Sequence, residues 1–163
     1  MKTTRRLPIL VLLCVTLTAC TSVHSKIEIN APAETVKAVL YDFDRYPSWN
    51  PFIVKIDGKV QTGNTVKVTV KPVGKAQISG DTRVLLVSDT HLIWRGSLKI
   101  PGLFRGKHEF IIESLGPNRT LFQQNEAMSG LVIPFLNTQP TELGFKAMNE
   151  SLKAQAEAQA PSH

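Results

Sequence analysis

The chain has 163 residues, 42% of them hydrophobic, and a formal net charge of +6, which fits one domain with an ordinary core plus a leader. Three of the positive charges, Lys2, Arg5 and Arg6, fall in the first six residues, and without them the surplus is only +3. So mild a bias, with its Lys and Arg scattered and forming no block, argues against a nucleic-acid partner.

Residues 1–19 follow the plan of a secretory leader: a positive start, an apolar run from Leu7 to Leu17, then small residues. The apolar run of about eleven residues is too short for a membrane-spanning helix of roughly 20. Leu17-Thr18-Ala19-Cys20 resembles a bacterial lipoprotein box. The resemblance implies cleavage before Cys20, a diacylglyceryl thioether on its sulfur and acylation of the new amine. Thr21 after the Cys, rather than Asp, implies by the same resemblance the outer membrane, facing the periplasm. Cys14 lies in the segment to be removed, so Cys20 alone survives, and the mature domain is expected to hold no internal disulfide and no Cys-based metal site.

Residues 20–26 read as a lipidated tether and 27–159 as the domain. Ile27 to Asn30 alternates as a first strand. Asn30 or Ala31 caps a helix with Pro32 in its first turn and Val36, Val39 and Leu40 as its apolar stripe. Asp42 to Tyr46 is a second short helix, stopped by Pro47, and Trp49-Asn50-Pro51 turns the chain. From there the period is close to two, with strands at Phe52 to Ile56, Thr65 to Pro72, Gln77 to Ser88 and His91 to Lys99. Trp94 shares a face with Leu92 and Leu98. Gly106 to Leu115 and Thr120 to Ser129 form a hairpin about Gly116-Pro117-Asn118. Phe145, Met148, Leu152 and Ala156 have helical spacing. Pro134 and Pro140 predict a kink or break near residues 137–139, with the firm helix starting at Pro140, and Pro161-Ser162-His163 is a tail.

The order is strand, two short helices, six strands, long helix. Strands joined by short turns pair antiparallel, and the apolar face of their sheet needs the one long amphipathic helix as cover. The expected fold is α+β: a curved antiparallel sheet of about seven strands gripping the C-terminal helix.

Ile27 to Asn30 with Ala31-Pro32-Ala33-Glu34-Thr35-Val36, the turn Tyr46-Pro47-Ser48-Trp49-Asn50-Pro51-Phe52, Leu92 to Gly96, His108-Glu109-Phe110, Glu126 to Pro134 and Gly144-Phe145-Lys146-Ala147-Met148-Asn149 resemble the START-like, helix-grip (SRPBCC) superfamily. The likeness is to its polyketide cyclase/dehydrase and lipid-transport branch. It implies a hydrophobic cavity between sheet and helix. It does not imply one reaction. Pro140 departs from the uninterrupted last helix of the family.

His108, Gln124 and Glu126 are the polar candidates. Pairing the face of Phe110 and Ile112 with that of Phe122 and Met128 requires an odd hairpin loop and sets His108 opposite Glu126. An imidazole beside a carboxylate can serve as an acid/base pair, orient a ligand, or only neutralise charge. The expected cavity lining is Trp49, Val68, Trp94, Phe110, Phe122, Gln124, Met128, Phe145, Met148 and Asn149. The four His show no metal-ligand spacing, and neither a Gly-x-Ser-x-Gly elbow nor a phosphate loop is present. Neither a metal nor a cofactor is therefore expected. Three readings stand: a lipid-anchored module binding an apolar molecule or lipid, a cyclase- or dehydratase-like enzyme using His108 and Glu126, and an envelope scaffold whose interior is filled by its own side chains. The lack of a nucleophile or cofactor motif favours binding over catalysis.

Overall fold

The computed structural model describes residues 19–160. The leader as far as residue 18 and the tail after residue 160 lie outside the described residues. In chain order come β1 (Ala19–Ile29), α1 (Ala33–Tyr41), a 3-10 turn (Phe43–Arg45), α2 (Tyr46–Trp49), β2 (Ile53–Asp57), β3 (Thr65–Val70), β4 (Ile78–Val87), β5 (His91–Ser97), β6 (Arg105–Gly116), β7 (Arg119–Gly130), a second 3-10 turn (Ile133–Phe135) and α3 (Gln139–Gln159). The strands form one antiparallel sheet in the order β1-β7-β6-β5-β4-β3-β2. It curls about α3 as a half-barrel, the helix-grip architecture.

Alternation fixes which face meets the helix. Val66 and Val68 on β3, Leu92 and Trp94 on β5, Phe110 and Ile112 on β6, and Phe122 and Met128 on β7 are buried. α3 answers with Phe145, Met148, Leu152 and Ala156, one stripe at helical spacing. Gly144 is also on that stripe, because a Cβ there would run into the Phe52 ring. Three register shifts, at Val54, Leu85 and Leu115, add the twist that the curl requires.

Four expectations are corrected. Thr21 to Lys26, read as a tether, are strand: β1 pairs with β7 from Ala19↔Gly130 to Ile29↔Thr120. Its inward positions include Thr21 and Ser25, short polar residues that break the apolar signal while Val23 is buried. Pro47 does not stop a helix. It sits within the first turn of α2, where its missing N–H costs nothing, and the preceding turn is 3-10. The α1 N-cap is Pro32 itself, rather than Asn30 or Ala31. Leu98 leaves the face of Trp94, because β5 ends at Ser97, and it is half exposed.

Tyr46 and Asn50 lock the turn into β2. The Tyr46 hydroxyl, wholly buried, donates to Leu40 O at 2.7 Å. Asn50 Oδ1 accepts from the N–H groups of Phe52 (3.0 Å) and Ile53 (2.9 Å). The expected break before the last helix is present: residues 136–138 separate the second 3-10 turn from α3, and Pro140 lies within the first turn of α3. Among the described residues no helix is long and apolar enough to cross a membrane.

Candidate functional site

The sheet register builds the interior in rows across β5, β6, β7 and β1. Trp94, His108, Glu126 and Val23 form one row, and Leu92, Phe110, Gln124 and Ser25 the next. The alternation argument thus holds for the pair His108↔Glu126. The odd residue is absorbed by the bulge at Leu115 rather than by a three-residue loop.

His108 Nδ1 lies 3.0 Å from Glu126 Oε2, with the His side chain 6% and the Glu side chain 18% exposed. The imidazole is enclosed by rings, with centroids at 4.4 Å to Phe110, 4.9 Å to Phe145 and 6.0 Å to Trp94. Gly106, one row outward, makes room for the carboxylate: a Cβ there would collide with Glu126 Oε1. With Nδ1 engaged by Glu126, Nε2 is the ring nitrogen left to meet a ligand, as acceptor or donor according to where the ring carries its proton. That atom is buried and has no partner among the described residues.

Gln124 is fully buried. Its Nε2 donates to Asn149 Oδ1 at 2.6 Å and to Phe145 O at 3.3 Å, and Asn149 Nδ2 donates onward to Ser25 Oγ at 2.9 Å. Two acceptors on the amide side fix the Gln124 orientation, so Oε1 is the atom left over, again buried and unpaired. The interior therefore holds two buried polar atoms without a partner among the described residues, one register row apart, in an aromatic surround. A third buried polar atom without a partner among the described residues, the amide donor Asn50 Nδ2, belongs to the turn before β2.

Trp94, Phe110, Phe122, Gln124, Phe145, Met148 and Asn149 are all buried on the facing surfaces of sheet and α3. Phe110 lies 5.9 Å from Phe122 and 5.4 Å from Trp94, and Phe145 packs on Phe52 at 5.3 Å. Met128 lies one row outward from Glu126, opposite Gly106. Val68 faces inward on β3, three strands from β6. Trp49 stands apart: half-buried on α2 against Tyr46, it borders a pocket of about 170 Å³ with Asp42, Arg45, Gln155 and Gln159. Among the described residues no three His, Cys, Asp or Glu side chains are grouped to hold a metal ion.

Sequence reasoning missed Ser25, Gly106 and a larger pocket of about 640 Å³ on the opposite, outer face of the sheet. Its lining includes Cys20, Asp81, Arg95, Leu98, Lys99, Ile100, Phe104 and Arg105. The available signal was the run Leu98-Lys99-Ile100-Pro101-Gly102, where apolar residues interrupt a turn-rich loop.

Comparison with solved structures returns the same fold at low identity. Norcoclaurine synthase of Thalictrum flavum superposes with a TM-score of 0.66 at 13% identity, covering 99% of this chain and 100% of that one. A START superfamily protein of Mycobacterium smegmatis gives 0.60 at 22%, covering 85% and 96%. The Zhui aromatase/cyclase of a Streptomyces species gives 0.64 at 17%, covering 88% and 100%. No curated protein matches the chain. At the sequence level, residues 21–158 match the family described as polyketide cyclase/dehydrase and lipid transport. With that match spanning nearly all of the described residues, the chain belongs to the polyketide cyclase/dehydrase and lipid-transport family, and its fold is the one seen in the START superfamily protein.

Proposed function

We propose that this protein is a lipid-anchored binding module of the cell envelope, tethered through Cys20 to the outer membrane and facing the periplasm. Its ligand is an apolar molecule, or a lipid, that carries a hydrogen-bond donor. The observation that carries this reading is the pair of buried polar atoms without a partner among the described residues, His108 Nε2 and the acceptor Gln124 Oε1, set among Trp94, Phe110 and Phe145. Buried polar atoms are rarely left unmatched, and apolar sites with a few convergent polar groups are the usual form of a small-molecule site. A hydroxyl or amine on the ligand would donate to Gln124 Oε1, and a second donor N–H or O–H would be needed for His108 Nε2 when the ring carries its proton on Nδ1. The norcoclaurine synthase structure is a complex with dopamine and hydroxybenzaldehyde, which is chemistry of this kind.

The aromatic rings pack together where such a ligand would lie, so binding has to turn Phe145 aside or shift the start of α3. The break at residues 136–138 supplies a joint for that movement. Expressing residues 21–163 and extracting what co-purifies tests the reading. A stoichiometric apolar molecule with a donor group supports it, and an empty protein that binds no apolar probe leaves the filled-interior scaffold.

The 3.0 Å contact between His108 and Glu126 favours a second reading, acid/base chemistry on the same ligand. Glu126→Gln keeps the shape and removes the carboxylate. On this reading it abolishes turnover of the bound molecule while leaving binding and fold intact. Unchanged turnover, or the absence of any, excludes catalysis by the pair.

A further inference from the structure

One end of the domain carries an unusual concentration of exposed apolar side chains. In the loop between β5 and β6, Leu98 is 51% and Ile100 64% exposed; in the segment between β7 and α3, Leu131 is 50% and Phe135 89% exposed. The two segments are tied into one ledge, since Leu131 N–H donates to Gly102 O at 3.0 Å and Val132 N–H to Leu103 O at 3.2 Å. Gly130 (φ 138°) permits this approach, because a side chain there would enter the Leu103 carbonyl. Single exposed apolar residues are ordinary, but a contiguous ledge of them marks a contact surface.

Beside the ledge the outer face of the sheet is cationic. Ser97, Arg105, Ser129 and Cys20 form one register row, and Arg95 projects from the same face two residues further along β5. With Lys99 they line the pocket of about 640 Å³, where Asp81 is the one acidic lining residue among the described residues. Arg95, Lys99 and Arg105 enter no salt bridge among the described residues. Cys20 is exposed at the same pocket. Because Ala19 pairs with Gly130 and Cys20 with Ser129, Cys20 lies within β1 at this end, directly beside the ledge.

We propose that this end of the domain rests on an anionic phospholipid surface, with Leu98, Ile100, Leu131 and Phe135 entering the boundary between headgroups and acyl chains. Arg95, Lys99 and Arg105 then meet lipid phosphates in the pocket. Apolar residues ringed by unpaired cations complement that boundary, whereas a protein partner of the same patch would have to supply three carboxylates. The inference takes from the anchored reading only the direction from which the bilayer comes.

The test uses the full chain, purified from membranes and reconstituted in vesicles of phosphatidylethanolamine and phosphatidylglycerol with brominated acyl chains as quenchers. Phe135→Trp places a depth probe on the ledge. Leu115→Trp places one at the opposite end of β6, and wild type gives the background of Trp49 and Trp94. The expected result is a loss of emission for Phe135→Trp beyond wild type, with none for Leu115→Trp, and a smaller loss when phosphatidylcholine replaces the anionic lipid. Quenching of Phe135→Trp no greater than wild type overturns the docking. A loss indifferent to lipid charge overturns the role of the cations, and shielding of the probe in lipid-free detergent assigns the ledge to a second copy or another protein instead. The mass of the mature chain reports the anchor separately: a chain without lipid on Cys20 refutes the anchored reading, while the quenching contrast still decides whether this end meets the bilayer.

Discussion

Replacing Gln124 by Leu separates a ligand site from a structural network. Gln124 is wholly buried and donates to Asn149 Oδ1 and Phe145 O, while its own Oε1 has no partner. Losing the two bonds costs about 1–2 kcal/mol, since each neutral bond nets about 1, and the bond at 3.3 Å falls at the weak end. Asn149 Oδ1 then loses its donor, a further cost of roughly 1–3 kcal/mol. Against this, removing an unpaired buried carbonyl recovers roughly 1–3 kcal/mol, and Leu adds apolar packing of similar volume. The terms nearly cancel, so urea denaturation followed by tryptophan emission should find a loss of about 2 kcal/mol or less. Ligand occupancy has no such compensation: losing its acceptor costs about 1–3 kcal/mol, roughly fivefold to 150-fold in affinity. The expected pattern is a folded variant from which the co-purifying molecule has gone. A destabilisation above about 4 kcal/mol would mean that Oε1 is already satisfied in the free protein, and full occupancy in a stable variant would mean that Gln124 does not touch the ligand.

Two further substitutions test the packing and the turn. Gly144→Ala puts a methyl group into the Phe52 ring; overpacking of about 1–3 kcal/mol exceeds the helix-propensity gain of up to about 1 kcal/mol, so thermal denaturation should show a net loss. In a Phe52→Leu background the same change becomes neutral or stabilising, and stabilisation in the wild-type background refutes the close approach. Tyr46 is fully buried, and that burial, with a smaller contribution from Tyr41, holds its phenol well above the usual range. The unfolded chain therefore loses this proton near pH 10 while the folded chain keeps it, so stability is intact below about pH 10 and declines as pH rises beyond it. Tyr46→Phe should cost about 1 kcal/mol at neutral pH, through the lost bond to Leu40 O, and flatten the alkaline decline. An alkaline limb identical to wild type contradicts the assignment.

What was legible in the sequence was what period and register carry. The alternation of Val66 and Val68, the helical spacing of Phe145, Met148, Leu152 and Ala156, and the facing of His108 and Glu126 all follow from side-chain direction alone. What escaped depended on residues whose type contradicts their position. Thr21 and Ser25 face inward but read as polar linker, and Pro47 reads as a stop although its place in the first turn of α2 makes it harmless. Gly106 and Gly144 carry no periodic signal, and their necessity lies in Glu126 and Phe52, partners distant in the chain. The outer pocket depends on five strands and a loop meeting, which no local pattern encodes. The aromatic side chains could be assigned to the interior, but whether they line a void or fill it depends on ring orientations set by three-dimensional packing.

The central claim is that the grip binds an apolar molecule through His108 Nε2 and Gln124 Oε1. Native mass spectrometry of residues 21–163, followed by organic extraction, tests it most directly. The account predicts one apolar molecule per chain, bearing a hydroxyl or amine, and absent from Gln124→Leu. An empty wild-type protein that also fails to take up an apolar fluorescent probe would contradict it.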